Sequence, residues 1–191
     1  MKKNNKYIIA TIIGFFIFLK WKQKQKTEIL PIQQTNNGND YDNDYRKNFV
    51  NLIKQDCIDI GKKIGVPYKF MIAQLILETG WGRSLLFTKY NNIGGIKAVA
   101  GQKFVTLPTN EYLNNRNVRL NQNFAVYDTK KQGIEAYEKV LQNKYFAKYL
   151  NKTNDPLEYA KLLQGGQPKY ATDPKYVSKI ESLLKTIETL L

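Results

Sequence analysis

Between residues 49 and 64, apolar side chains recur every three or four positions, and this period constrains the fold more than any other feature of the chain. It is the period of an amphipathic helix, for which Asp44 is a candidate N-cap and Gly65 the stop. Pro67 then suits the first turn of a second helix, which runs to Glu78 before two glycines end it. The members of the pattern are Phe49, Ile53, Cys57, Ile60 and Ile64, then Phe70, Met71, Ala73, Gln74, Leu75 and Leu77.

Residues 103 to 127 change to the two-residue period that is typical of β-strands. The segments KFVTLPTNEYL and VRLNQNFAVY flank a polar NNRN, residues 114–117. In the second segment, apolar residues alternate with polar neighbours at Val118, Leu120, Phe124 and Val126. This pattern predicts a β-hairpin in an otherwise helical chain.

Three further helices are predicted after the hairpin. Asp128 can cap the first, which carries Ile134, Tyr137 and Leu141; Pro156 opens the second, and Gly165 with Gly166 closes it. The last follows Asp173 and Pro174 and carries Tyr176, Ile180, Leu183, Leu184 and Ile187. We therefore expect residues 45–191 to form one α+β domain that is mostly α-helical.

The N-terminal segment 1–22 has the features of a membrane anchor or an export signal. Lysines flank the apolar run Tyr7–Leu19 on both sides. At about 1.5 Å per residue the run spans about 20 Å, short of a hydrocarbon core of about 30 Å, although lysines and Trp21 can extend its reach. Because no small-x-small cleavage pattern follows, we favour an uncleaved signal-anchor helix over a cleaved signal. The similar lysine counts on its two sides leave its orientation open.

Residues 23–44 are rich in Gln, Asn, Asp, Lys and Thr, which predicts a flexible polar linker. Of the 30 basic residues in the chain, seven precede residue 27, where no acid occurs, so the formal net charge of +14 overstates the charge of the domain. A moderately basic domain is compatible with an ordinary solvated surface or with attraction to a polyanion. No nucleic-acid-binding module is recognisable, and we expect no nucleic-acid partner.

The chain contains no histidine. This absence excludes a Ser-His-Asp triad, a Cys-His pair and a His-ligated zinc ion, and it leaves carboxylates as the natural general acids and bases. The single cysteine, Cys57, has no partner for an internal disulfide, and we expect it in the core. We therefore expect no metal and no cofactor.

Glu78 lies in LILETGWGRS, at the end of an apolar run. A carboxyl near the C-terminus of a helix and beside apolar neighbours is disfavoured in its charged form, so its pKa should rise. Such a glutamic acid can donate a proton to a glycosidic oxygen. The physical argument alone also fits a solvated helix end without catalytic function.

Four segments together resemble the glucosaminidase domain of glycoside hydrolase family 73. They are AQLILETGWGRS, NNIGGIKA at residues 91–98, TNEYL on the hairpin, and YATDPKYVSKI at residues 170–180. Members of this family include bacterial autolysins, phage lysins and the wall-cutting domain of a flagellar rod protein. The resemblance covers roughly residues 46–191 and implies a lysozyme-like helical lobe with a small β-lobe. It also implies cleavage of the β-1,4 bond between N-acetylglucosamine and N-acetylmuramic acid in peptidoglycan.

The resemblance also assigns site residues. Glu78 matches the general acid of the family, and Glu111 matches a second carboxylate that activates water or stabilises the charged sugar. Tyr170 matches a tyrosine that lines the active site, where it holds the acetamido group or the transition-state charge. Substrate binding is expected on a groove floor made by Trp81 and by the segment Asn92–Lys97, including Gly95. One departure is Gly94, where the family usually has an aromatic residue, and it puts stacking at that subsite in doubt.

The resemblance leaves the stereochemistry of the reaction open. Carboxyl groups about 5 Å apart imply retention of the anomeric configuration, and groups about 6.5 to 9.5 Å apart imply inversion. Assistance by the substrate acetamido group needs only an acid and a helper. A muramidase or lytic transglycosylase and a non-catalytic wall-binding domain are the alternative functions. We expect a monomer that acts on peptidoglycan glycan strands in the bacterial cell envelope, exported or anchored through the N-terminal segment.

Overall fold

The computed structural model of the chain describes residues 38–113, 116–143, 145–167, 169–171 and 173–191. The expected signal-anchor helix in residues 1–22, and residues 23–37 of the expected linker, lie outside this part, so both stay predictions. Within the described ranges, no helix has the length and apolar character that crossing a membrane requires. The elements are α1 (Gly38–Ile64), α2 (Tyr68–Thr79), α3 (Leu85–Tyr90), β1 (Phe104–Leu113), β2 (Arg116–Ala125), α4 (Lys130–Leu141), α5 (Pro156–Gly165) and α6 (Tyr176–Leu190).

Helix α2 is the centre of the domain. Nine of its twelve residues are buried, because α1, α5 and α6 all pack against it. The apolar face that the sequence predicts for α1 is confirmed, since all five of its members are at most 7% exposed. Cys57 is one of them and is fully buried, as expected; burial, aided by the neighbouring charge of Asp56, raises the pKa of its thiol.

Helix α1 is longer than its sequence pattern predicts. It begins at Gly38, so Asp44 lies inside it rather than at its N-cap, and residues 38–44 are helical although we assigned them to the linker. One contact within the helix and one tertiary contact explain the extra turns. The carboxylate of Asp42 lies 2.6 Å from the guanidinium of Arg46, one turn along α1, and 2.9 Å from that of Arg83 in the loop after α2.

The predicted β-hairpin is confirmed as a two-stranded antiparallel sheet. Its register runs from Phe104 opposite Ala125 to Leu113 opposite Arg116. The predicted turn was too long, because residues 116 and 117 are already in β2. At the base of the hairpin, the Ala125 amide donates to the Ile96 carbonyl (2.9 Å), and Phe124 packs with Leu86 of α3.

The α+β, mostly helical fold class is therefore confirmed for the described residues. Two local predictions change. The N-cap of α4 is Thr129 rather than Asp128, since Thr129 and Gln132 form a reciprocal capping box. Helix α3 was not predicted, because six residues are too few to show an apolar period; Ser84 caps it by accepting from the Phe87 amide.

Candidate active site

Glu78 lies in the last turn of α2 and is buried, with 1% of its surface exposed. Its position follows from the sequence, because α2 is apolar over most of its length and has no acidic residue in its first turn and no basic residue in its last. The helix ends at Gly80, which adopts a left-handed conformation and donates its amide to the Ile76 carbonyl. The carboxyl is thus carried by the most buried helix of the domain, beside the negative end of its dipole.

The Glu78 carboxyl is held by a chain of hydrogen bonds that joins α2 to α6. The Nε2 of Gln74, one helical turn earlier, donates to Oε1 of Glu78 over 3.0 Å. The hydroxyl of Tyr176 donates to Oε1 of Gln74 over 2.7 Å. Both side chains are at most 1% exposed. A buried carboxyl with an ordered partner on one of its oxygens has a fixed orientation.

Three buried tyrosines interact with Glu78 from different parts of the chain. Tyr137 belongs to α4, Tyr170 precedes α6, and Tyr176 is the first residue of α6. Burial, above all, raises the pKa of each hydroxyl well above its usual value, and the Glu78 charge adds to the effect in all three. All three phenols therefore stay neutral over the pH range in which carboxyl groups titrate.

Tyr170 is fully buried within this group. Its hydroxyl lies 3.4 Å from that of Tyr137, and its ring packs against Phe146 and Tyr176. The structure thus brings two predicted site residues, Glu78 and Tyr170, into one buried cluster.

The loop after α2 begins with three consecutive residues in the left-handed region. Gly80, Trp81 and Gly82 have φ values of 59°, 61° and 76°. This conformation is uncommon for a bulky residue such as Trp81. Thr79 supports the turn, since its hydroxyl accepts a hydrogen bond from the Gly82 amide over 2.8 Å. A side chain at Gly82 would collide with the ring of Phe49, its Cβ 2.5 Å from that ring, so the sequence needs glycine there.

The first turns of α1 pack onto this loop. We call the four side chains at this contact the α1 clamp: Asp42, Tyr45 and Arg46 from α1, and Arg83 from the loop. The Arg46 guanidinium lies 5.2 Å from the centre of the Trp81 ring, and that of Arg83 lies 4.3 Å from the Tyr45 ring. Asp42 bridges the two arginines. Trp81 is half-buried between this clamp and the core.

The segment Asn92–Lys97 forms the link between the helices and the hairpin. The side chain of Asn92 is 1% exposed, and its amide nitrogen donates to the carbonyls of Ile96 and Ala125, while its oxygen accepts from the Ile96 amide. Gly95 is buried with a φ of 62°, and Lys97 is half-buried and paired with Phe124. The geometry of Asn92 is that of a residue that shapes the loop.

Glu111 is placed by its backbone alone. It lies in β1 and pairs with Val118 of β2. Its side chain lies outside the described part of the structure.

Sequence reasoning missed the roles of Gln74 and Tyr176 in the site. We expected both as members of helical patterns, yet they hold the Glu78 carboxyl. The four-residue spacing of Gln74 and Glu78 was the available signal, because residues i and i+4 are neighbours on a helix. In the part of the chain that the structure describes, no group of three or more acidic or cysteine side chains is arranged to hold a metal ion.

Comparison with known proteins finds a matching family and similar chains. Residues 54–189 match the family described as "Glucosaminidase: Mannosyl-glycoprotein endo-beta-N-acetylglucosaminidase". A probable N-acetylmuramidase of Lactococcus lactis subsp. lactis is 31% identical over 148 residues, 71% of this chain and 32% of the relative. The peptidoglycan hydrolase FlgJ of Pseudomonas aeruginosa is 30% identical over 67% of this chain and 33% of its own length. The chain thus spans about a third of the length of these curated relatives.

Two solved structures are similar over nearly their whole length. The catalytic domain of the autolysin Auto from Listeria monocytogenes superposes with a TM-score of 0.68 at 28% identity, covering 84% of this chain and 98% of that one. A peptidoglycan hydrolase mutant from Sphingomonas sp. A1 superposes with a TM-score of 0.64 at 31% identity, covering 75% and 97%.

Proposed function

This chain belongs to the glucosaminidase family, and on that premise we propose that it is a glycoside hydrolase of bacterial peptidoglycan. The bond that we propose it cleaves is the β-1,4 linkage between N-acetylglucosamine and N-acetylmuramic acid. Similarity to a peptidoglycan hydrolase and to the catalytic domain of an autolysin supports the substrate. We place its action in the cell envelope, with the chain exported or anchored through residues 1–22.

The observation that carries the proposal is the buried carboxyl of Glu78. A glutamic acid that is 1% exposed, next to the end of a helix and among neutral phenols, is in surroundings that disfavour its charged form. It can therefore keep a proton near neutral pH and donate it to the leaving glycosidic oxygen. Because Glu78 is so little exposed, a sugar reaches it only when the segments around it move apart.

Glu111 is the proposed second carboxylate, which activates water or stabilises the positive charge on the sugar. Strand alternation predicts that position 111 belongs to the same face of β1 as Leu107 and Thr109. That face includes Val105, which packs with Phe124 and Leu86 at the base of the hairpin. This shared face supports the assignment of Glu111 to the site.

Tyr170 is proposed to assist through its hydroxyl, toward the acetamido group or the transition-state charge. Its position in the same buried cluster as Glu78 supports this assignment. Trp81, Gly95 and Lys97 are proposed to shape the sugar-binding groove, with Asn92 holding the loop that carries two of them.

A muramidase or lytic transglycosylase is the second candidate, and the name of the Lactococcus relative favours it. Mass spectrometry of muropeptides released from purified sacculi separates the candidates. Fragments that end in reducing N-acetylglucosamine support the glucosaminidase. Reducing or anhydro N-acetylmuramic acid ends would support the second candidate instead, and absence of cleavage would support a wall-binding domain. The Glu78→Gln variant is the control for contaminating hydrolases.

A further inference from the structure

Gln74 and Tyr176, which we call the positioning pair, lie 102 residues apart in sequence and meet beside Glu78. Gln74 is fully buried, Tyr176 is 1% exposed, and each makes a well-formed hydrogen bond toward the carboxyl or toward its partner. A buried amide and a buried phenol are costly unless they are paired. Their presence in the apolar centre of the domain therefore calls for a function.

We infer that the positioning pair fixes which oxygen of the Glu78 carboxyl carries the proton. This inference rests on the proposed function, in which Glu78 is the proton donor. Gln74 donates an N–H to Oε1 of Glu78, so Oε1 acts as an acceptor. In the neutral acid, the accepting oxygen is the carbonyl oxygen, and the proton resides on Oε2.

Tyr176 favours the observed orientation of the Gln74 amide. An amide side chain that turns over exchanges its oxygen for its nitrogen. In the observed arrangement, the Tyr176 hydroxyl donates to Oε1 of Gln74, which leaves the NH₂ group facing Glu78. The reversed amide would present its oxygen to Glu78 and accept the acid proton there. In that arrangement the Tyr176 hydroxyl would have to accept from the Gln74 NH₂ group and would lose the acceptor for its own proton, so Tyr176 favours the orientation that leaves the proton on Glu78.

The groups facing Glu78 allow this inference to be tested through pH. The phenols of Tyr137 from α4, Tyr170 from the segment before α6, and Tyr176 from α6 all interact with the carboxyl. Burial keeps all three neutral in the acidic and neutral range. A titration observed there in the buried cluster therefore belongs to Glu78.

The central experiment compares Tyr176→Phe with Tyr159→Phe in the full-length chain. Both variants remove a buried hydroxyl from the same core. The Tyr159 hydroxyl has no hydrogen-bond partner among the described residues, which makes it a matched control. In Tyr176→Phe the amide is free to turn, and an amide oxygen facing Glu78 favours the neutral acid. We expect the Glu78 pKa to rise by up to about one pH unit. The basic limb of the plot of reaction rate against pH should move to higher pH by the same amount.

A second variant, Gln74→Met, removes the N–H donor while keeping the length of the side chain. Loss of a hydrogen bond to the charged form also raises the Glu78 pKa, so both variants should move the basic limb in the same direction. We expect kcat to fall by about tenfold with KM unchanged, because only the proton donor is disturbed. If Gln74→Met does not fold, the double variant Gln74→Met/Tyr176→Phe avoids the orphaned hydroxyl.

Two readouts separate this inference from the proposed function. A ¹³C NMR titration of the glutamate carboxyl carbons, assigned with Glu78→Gln, measures the pKa without turnover. Muropeptide release measures the activity. If the wild type releases no muropeptides, the proposed function fails, while the NMR titration still decides the inference. If the Glu78 pKa is the same in Tyr176→Phe, Tyr159→Phe and wild type, the inference is overturned.

Discussion

The two carboxylates of the proposed mechanism lie in different kinds of structure, Glu78 in the central helix α2 and Glu111 in the β-hairpin. Glu78 belongs to α2, against which three other helices pack, and its carboxyl accepts a hydrogen bond from the buried side-chain amide of Gln74. Glu111 belongs to a ribbon whose two strands contact mainly each other and which joins the helices at its base. Burial and tertiary hydrogen bonds therefore position the acid, whereas backbone pairing positions its partner. We conclude that tertiary packing fixes the orientation of the Glu78 carboxyl, whereas the position of Glu111 depends on the pairing of the two strands.

The largest effect should separate the two carboxylates in activity. Glu78→Gln removes the proton donor, and we expect a loss of about 10⁴-fold, because the neutral phenols around it are much weaker acids than a carboxylic acid. Glu111→Gln should cost about 10²-fold if Glu111 acts through water. Release of dye-labelled peptidoglycan fragments measures both, with circular dichroism as the folding control. A Glu111 variant as inactive as the Glu78 variant would contradict this ranking.

The next largest effect concerns stability. Phe70 is fully buried in α2 and packs edge-on against Tyr159, with ring centres 4.8 Å apart. Phe70→Ala should lower the free energy of unfolding by about 3 to 5 kcal/mol through lost burial and a cavity. Phe104 on the hairpin is 55% exposed, and Phe104→Ala should change it by less than about 0.5 kcal/mol. Urea unfolding of the two variants tests the contrast, and equal losses would show that the hairpin is as tightly integrated as α2.

A smaller effect on the free energy of unfolding is expected from Asp173, which lies between Tyr170 and Tyr176 in the chain. Burial of Asp173 opposes its ionisation, but the Lys179 ammonium at 2.6 Å and the Lys175 amide outweigh it and lower the Asp173 pKa. A lowered pKa in the folded state stabilises the fold above the usual aspartate pKa, and this stabilisation disappears as the pH falls through the folded-state value.

Asp173→Asn should therefore cost about 1 kcal/mol at pH 7, and its stability should converge with that of the wild type in acid. Urea unfolding across that pH range measures the difference. A difference that stays constant with pH would mean that the ion pair with Lys179 is not its source.

The smallest effect on the free energy of unfolding should come from a substitution in the α1 clamp. Asp42→Ala removes both arginine contacts, yet these side chains are more than a third exposed, so the expected cost is only about 0.5 kcal/mol. The fluorescence of Trp81 should nevertheless change, because Arg46 loses the partner that holds it over the ring. Glu181→Ala, which breaks an exposed pair with Lys185 on α6, is the matched control. Equal fluorescence spectra for the two variants would contradict a specific clamp.

The sequence predicted the parts of the fold that depend on local periodicity. The buried face of α1, the apolar run that ends at Glu78 and the alternation of β2 are all patterns within a short window. The start of α1 was wrong because its first turns depend on Asp42 meeting Arg83, 41 residues away. The cap of α4 was misplaced by one residue, because Asp128 and Thr129 are both good capping residues.

The candidate site was predictable only in part, and for a related reason. Glu78 and Tyr170 could be named from motifs, but no local pattern indicates that Tyr176 donates to Gln74 across 102 residues. Polar contacts inside a core depend on how the helices pack against one another, so they can be identified only from the tertiary structure. Asn92 shows the same limit, since its partner Ala125 lies on the far side of the hairpin, 33 residues away.

The contact between Tyr176 and Gln74 has a consequence for biosynthesis. A ribosome makes Gln74 and Glu78 long before it makes α6, which holds the phenol that orients them. Before α6 has emerged from the ribosome, a nascent chain therefore contains Glu78 and Gln74 but lacks the Tyr176 hydroxyl that orients the Gln74 amide. In the proposed mechanism, the oriented proton donor is therefore complete only after Tyr176 has been synthesised, 102 residues after Gln74.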